Sequence, residues 1–488
     1  MDYQKLKEAN DKFAFEEFKK DADRGHRICQ LQVGMMYENG IGTEMNPKKA
    51  FEYYQKAANQ GCAISQNALG CMYENGIGTA KNLEKALEYF QKSADQGYAR
   101  AQNALGCMYF YGTGTAKNLE KAFEYFQKSA DQGYAGAQIN LGCIYRDGNG
   151  TEKNPKKAFE YFQKSADQGY AGAQNDLGYM YRTGTGTAQN PEKAFEYYEK
   201  AANQGNAIAQ DNLGCMYREG TGTAKNLEKA LEYFQKSADQ RHAGAQYALG
   251  LMYRDGNGTE KNPEKAFKYF EKAANQGHAD SQFNLGNMYR YGKGTAVNSK
   301  KAFEYFKKAA NQGHAVAQYD LGHMYYIGIG TDKNLEKTIE YYEKAANQGN
   351  TEAQSILGWM YENGKGTAKN LKKAFEYYEK AANQGNRIAQ NALGHMYKNG
   401  QGTAKNLEKA LEYFQKAADQ GDIHSRIEIK KLSESKSAIP SVIQISENSV
   451  AIQIQQPIQP IAVKRPFILD VSESSAFSSS KKQTIQIE

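Results

Sequence analysis

Residues 63–98 read AISQNALGCMYENGIGTAKNLEKALEYFQKSADQGY. In the opening third, Ala63, Ser65, Gln66, Leu69, Gly70, Met72 and Tyr73 mark one buried face of a helix, because small and apolar side chains recur three and four residues apart. Gly76-Ile77-Gly78-Thr79 breaks that helix, since glycine takes up left-handed backbone angles at little cost. A second helix starts after Asn82, a residue type whose short side chain caps free N–H groups. It packs through Ala86, Leu87, Tyr89, Phe90 and Ala94 until Gly97 stops it. The stretch is one helix–turn–helix unit.

The unit returns without insertion or deletion. Its Leu-Gly glycine (Val-Gly in the first copy) recurs at Gly34, Gly70, Gly106, Gly142, Gly178, Gly214, Gly250, Gly286, Gly322, Gly358 and Gly394, every interval being 36 residues. Self-similarity at such a period is the signature of stacked repeats. In four copies proline follows the capping asparagine (Pro47, Pro155, Pro191, Pro263), where a helix tolerates it best. The Leu-Gly glycine sits mid-helix at a cost of about 1 kcal/mol relative to alanine. Close approach of the partner helix, faced by small alanines, is the expected compensation. One unit buries too little apolar surface to order itself, so neighbours must stack. The expected fold is an all-α superhelix of eleven 36-residue repeats over residues 26–421. A capping half-repeat is expected over 1–25, where Ala14, Phe15, Phe18, Ala22 and Gly25 align with Ala50, Phe51, Tyr54, Ala58 and Gly61. A partial terminal repeat over 422–431 and a disordered tail over 432–488, rich in serine, glutamine and isoleucine, complete the chain. In that tail, residues 441–445 and 451–454 alternate as strands do when a partner offers an edge, and Ser478, Ser479 and Ser480 are candidate phosphorylation sites.

The pattern A-x-A-Q-x-x-L-G-x-M-Y-x-x-G-x-G-T-x-x-N-x-x-K-A-F-E-Y-F-x-K-A-A-x-Q-G resembles the Sel-one-like repeat (SLR) family, a relative of the tetratricopeptide repeat. The resemblance implies an α-α superhelix (an SLR/TPR-like solenoid) and a role in assembling complexes, including membrane-protein quality control and signalling. Two positions depart from it: Arg241 replaces the terminating glycine and Thr338 replaces a helix alanine. In a left-handed turn Arg241 carries strain of roughly 1–2 kcal/mol.

Composition narrows the function classes. The 488 residues carry a net charge of +7, a mild excess spread along the chain rather than the concentrated basic face of a nucleic-acid binder. The first residues lack the apolar stretch of a secretory signal, and no run of about 18 apolar residues occurs. The chain as given therefore reads as soluble and cytoplasmic, with no direct membrane insertion. Cys71, Cys107, Cys143 and Cys215 share one repeat position. Cys62 and Cys71 lie about 13 Å apart along one helix, beyond the roughly 7 Å that a disulfide spans. Reduced thiols in a reducing compartment follow. The repeated Gly-x-Gly-Thr lacks the preceding strand and following lysine-serine of a phosphate loop, and no nucleophile elbow or kinase signature occurs. The expectation is a chain that is not an enzyme and has no catalytic residue, cofactor, metal, small-molecule substrate or nucleic-acid partner. It reads as a protein–protein interaction scaffold or adaptor. The alternative is a regulatory subunit or fragment linked to an enzyme on another chain.

Variable positions on the first helices are expected to line a concave groove. The position after Met-Tyr holds Glu38, Glu74, Phe110, Arg146, Arg182, Arg218, Arg254, Arg290, Tyr326, Glu362 and Lys398. Its five consecutive arginines, about 10 Å apart if repeats stack, form a basic ridge suited to an extended acidic or phosphorylated peptide. The competing reading is a solvated face on which arginines pair with Asp147, Glu219 and Asp255. A second column carries the aromatics Tyr247, Phe283 and Tyr319, either anchors for an apolar side chain or tolerated surface residues. A third holds the four cysteines, then Tyr179, His323, Trp359 and His395. Trp359 is a natural hot spot, or equally a large residue covering a small neighbour. His323 and His395, two repeats apart, are too distant to share a metal. His26, His242, His278 and His314, at the entrance to first helices, read as turn residues.

Overall fold

Each unit folds into two 13-residue helices, as α4 (Ala63–Asn75) and α5 (Leu83–Asp95) illustrate. The structure is a computed structural model and describes residues 3–436. Among the described residues there are 24 helices and no strand. The turn chemistry is local. Asn82 Oδ1 accepts a bond from the Lys85 N–H at 2.9 Å, satisfying one of the first free donors of α5. Gly76, at φ +72°, closes α4 by donating its N–H to the Met72 carbonyl. Gly78 does more than break the helix. A β-carbon there would overlap the Pro47 carbonyl oxygen at the start of α3 (Pro47–Asn59), the second helix of the preceding repeat. The Gly-x-Gly turn thus lets two repeats meet backbone against backbone.

Within a unit, an aromatic ring covers the mid-helix glycine. A β-carbon on Gly70 would lie 2.5 Å from the Phe90 ring, and the same holds at 2.7 Å for Gly34 with Tyr54 and Gly178 with Tyr198. The ring, and not the facing alanines expected from sequence, is what excludes the methyl group. Ala86 and Ala94 are buried one turn before and after Phe90. Burying the ring contributes roughly 1.5–3 kcal/mol, which outweighs the propensity cost of about 1 kcal/mol.

Tyrosine, lysine and glutamine join the helices further. Tyr73 stacks on Tyr89 with ring centroids 5.7 Å apart, and the Lys85 ammonium stands 5.2 Å from the Tyr73 centroid. Phe51 of the preceding α3 meets Tyr73 edge-on at 5.3 Å. The buried Gln66 accepts a bond from the Gln96 amide at 2.6 Å and donates to the Ala58 carbonyl of α3 at 3.3 Å. One glutamine therefore ties its own unit together and satisfies a last-turn carbonyl of the previous one.

The chain divides into two compact units, Met1–Val297 and Asn298–Glu488. The described part of the first runs from α1 (Tyr3–Asp23) to α16 (Ala279–Tyr291), and that of the second from α17 (Ser299–Asn311) to α24 (Ile423–Lys436). On α1, Phe15 and Ala22 are buried, Phe15 meeting Tyr37 edge-on at 5.1 Å. Phe18, without a glycine-bearing helix to lie on, stays 39% exposed. α24 runs past Lys431 to Lys436 and buries Leu432. The expected tail disorder beyond it, the strand-like stretches and the candidate phosphoserines lie outside the described residues. Arg241 is the non-glycine residue with positive φ among the described residues, at +65°. Thr338 is fully buried, and its hydroxyl donates to the Asn334 carbonyl at 2.8 Å.

Candidate protein-binding stripe

On every first helix, side chains at i, i+4 and i+7 fall on one side. On α10 (Ala171–Thr183) these are Asn175, Tyr179 and Arg182; on α12 (Ala207–Glu219) they are Asp211, Cys215 and Arg218. The ring that lies on the mid-helix glycine extends beneath the last of the three. Arg146 stands 5.9 Å from the Phe162 centroid and Arg218 5.7 Å from that of Phe234. Where ring and partner are tyrosine and glutamate, the hydroxyl donates to the carboxylate, as Tyr54 does to Glu38 and Tyr378 to Glu362.

All five arginines of the column are half-buried. Arg146, on α8 (Ala135–Asp147), binds Asp147 at 2.9 and 3.1 Å and reaches Asp176 of α10 at 3.5 Å. Arg218 binds Glu219 at 2.9 Å. Arg254, on α14 (Ala243–Asp255), binds Asp255 at 2.7 and 2.8 Å and Asn284 of α16 at 3.0 Å. The three acids anticipated as partners are thus engaged. Asp176 and Asn284 were missed in the sequence because each stands 30 residues from its arginine, at the same position of the next repeat. Arg182 forms no ion pair among the described residues and lies 5.8 Å from the Tyr179 ring, and Arg290 lies 6.0 Å from Tyr291.

The aromatic candidates divide between the two units. In the first, Tyr247 is half-buried with its ring 4.7 Å from His278 and 5.9 Å from Phe270, and Phe283 is half-buried on α16. In the second, Tyr319 on α18 (Ala315–Ile327) stacks on Tyr342 at 5.6 Å, and Trp359 on α20 (Thr351–Asn363) is 42% exposed.

Burial sets the electrostatics of the stripe. It pushes the Cys71 thiol up to about 11 and those of Cys107, Cys143 and Cys215 up to about 12, which keeps them protonated and weakly nucleophilic. All six cysteines are free. Burial also pushes Asp176 up to about 6 against the pull of Arg146. Asp211 is raised by burial against the pull of His242, 3.8 Å away. His242, His278 and His314 cap their helices, each Nδ1 accepting a backbone N–H at 3.3, 3.2 and 3.1 Å, whereas His26 makes no such bond. Among the described residues no group of three His, Cys, Asp or Glu side chains is placed to hold a metal, and no helix is long and apolar enough to cross a membrane.

A family model described as Sel1 repeat matches eleven consecutive segments, from residues 28–62 through 63–98 and onward to 387–422. No curated protein matches the chain. Among solved structures, a protective antigen of uropathogenic Escherichia coli displaying an SLR fold is similar at 29% identity and a TM-score of 0.65. That match covers 89% of this chain and 99% of the antigen. A Sel1 repeat protein from Oxalobacter formigenes is similar at 33% identity and a TM-score of 0.50, over 63% of this chain and 90% of its own.

Proposed function

We propose that this chain, which belongs to the Sel1 repeat family, is a non-catalytic scaffold or adaptor holding an acidic or phosphorylated segment of a partner protein along its first-helix stripe. The Sel1 repeat solenoid is a fold typical of interaction scaffolds, and its family is generally non-catalytic. The observation that carries the finer reading is the column Arg146, Arg182, Arg218, Arg254 and Arg290, one guanidinium per repeat on one side of successive first helices. Repeats about 10 Å apart match roughly three residues of extended peptide, so acids spaced by three meet successive arginines. The pairs with Asp147, Glu219 and Asp255 are partly exposed, and such pairs are worth about 0–1 kcal/mol each, a small cost to displace. Tyr247, Phe283, Tyr319 and Trp359 would add apolar anchors within their own units. The unpaired cysteines suit a reducing, cytoplasmic setting.

The test is fluorescence anisotropy of a labelled hexaglutamate peptide, together with affinity purification, on wild type and on a variant with Arg182, Arg218 and Arg254 all changed to Glu. Loss of binding and of partner recovery supports the ridge; unchanged binding and recovery removes it. In the purification, recovery of one catalytic protein would favour the regulatory-subunit alternative over a scaffold.

A further inference from the structure

We infer that α10 and α11 (Pro191–Asn203) build a pocket for one oxyanion, the carboxylate of an acidic partner side chain, from the Tyr198 hydroxyl and the Arg182 guanidinium. The inference rests on the ridge reading above and says where on the ridge specificity resides. Tyr198 lies against Gly178 with 0% exposure, and its hydroxyl has no hydrogen-bond partner. A buried hydroxyl left unpaired is costly, and phenylalanine would avoid that cost. Phenylalanine does occupy the equivalent position at Phe90, Phe126, Phe162, Phe234, Phe270 and Phe414, each fully buried.

Three other units carry tyrosine there; one, Tyr342, has Tyr326 in the acceptor's place, and the other two show what belongs against the hydroxyl. Glu38 accepts from Tyr54, and Glu362 accepts from Tyr378 at 2.9 Å. On α10 the residue in the glutamate's place is Arg182, which has donors and no acceptor. This unit therefore retains the tyrosine donor and gains a cation, but has no carboxylate of its own to accept from the pair. Arg182 forms no ion pair among the described residues and already lies 5.8 Å from the 39% exposed Tyr179 ring, so a carboxylate can approach without a salt bridge being broken. The incoming carboxylate then accepts from Tyr198 and Arg182 together in charge-assisted bonds. The acids in the field of the pair are engaged elsewhere: Asp176 with Arg146 at 3.5 Å and Asp211 facing His242 at 3.8 Å.

Labelled hexaglutamate, titrated by anisotropy at low salt, tests the pocket. Tyr198→Phe should weaken binding about tenfold while the melting temperature holds or rises, because the substitution recreates a residue that the neighbouring units already bury at Phe162 and Phe234. Arg182→Glu restores the internal acceptor, so it should abolish binding and raise the melting temperature. If Tyr198→Phe binds like wild type while Arg146→Glu and Arg254→Glu weaken the peptide, the pocket is wrong and the ridge stands. If wild type does not bind hexaglutamate at all, both fall.

Discussion

Replacing Arg241 by glycine isolates one backbone strain. The φ of +65° at Arg241 lies where the corresponding turns use glycine, at +88° for Gly205 and +90° for Gly277, with open space around the missing β-carbon. The penalty is therefore conformational and owes nothing to packing. The turn's own bonds, Arg241 N–H to the Ala238 carbonyl at 2.9 Å and His242 N–H to the Ser237 carbonyl at 3.2 Å, involve backbone alone and survive the change. A side chain in the left-handed region costs roughly 1–2 kcal/mol. Glycine gives back about 0.4–1 kcal/mol by loosening the unfolded chain, which leaves a net gain of about 1 kcal/mol. For a cooperative unit of about 150–250 residues that gain raises Tm by about 2–4 °C. Thermal unfolding followed by circular dichroism should be run on wild type, Arg241→Gly and Arg241→Ala. Alanine removes the charge but keeps the β-carbon, so it should leave Tm nearly unchanged. No rise with glycine, or an equal rise with alanine, would refute the strain account.

Gly214→Ala places a β-carbon 2.7 Å from the Phe234 ring. Overpacking of about 1–3 kcal/mol should outweigh a propensity gain of about 1 kcal/mol, and the melting temperature should fall. Gly222→Ala overlaps the Pro191 carbonyl, whereas Gly205→Ala meets open space, so in urea titrations the first should be the more destabilised; the reverse order would remove the backbone-to-backbone account of repeat stacking. Burial raises Asp176 from 3.8 to about 6, so the folded state keeps a proton that the unfolded chain releases between those values. Its contribution is complete below the unfolded pKa and is lost as pH rises through the folded one. Asp176→Asn should therefore melt higher than wild type near neutral pH and lose that advantage in acid; a difference independent of pH would show that the carboxyl is not the cause.

The repeat itself was legible because each local signal agrees with the others. The 36-residue spacing of Leu-Gly, the Asn82-type caps and the Gly76-type stops each act within a few residues of chain, so composition and order alone determine helix starts, ends and length. Arg241 was legible for the same reason, since a terminating turn demands a left-handed angle whatever surrounds it. What lay beyond the sequence were contacts whose partners stand on another helix. Pro47 under Gly78, Phe90 on Gly70, and Asp176 beside Arg146 come together only when helices pack. The stripe behaved likewise: the column of arginines was visible as letters, but its half-burial, and the unpaired Tyr198 hydroxyl in the field of Arg182, exist only once a second-helix ring has been laid over a first-helix glycine. Short-range angles and caps are properties of a few consecutive residues; burial and pairing belong to the stacked whole, because neither has meaning until another repeat excludes the water.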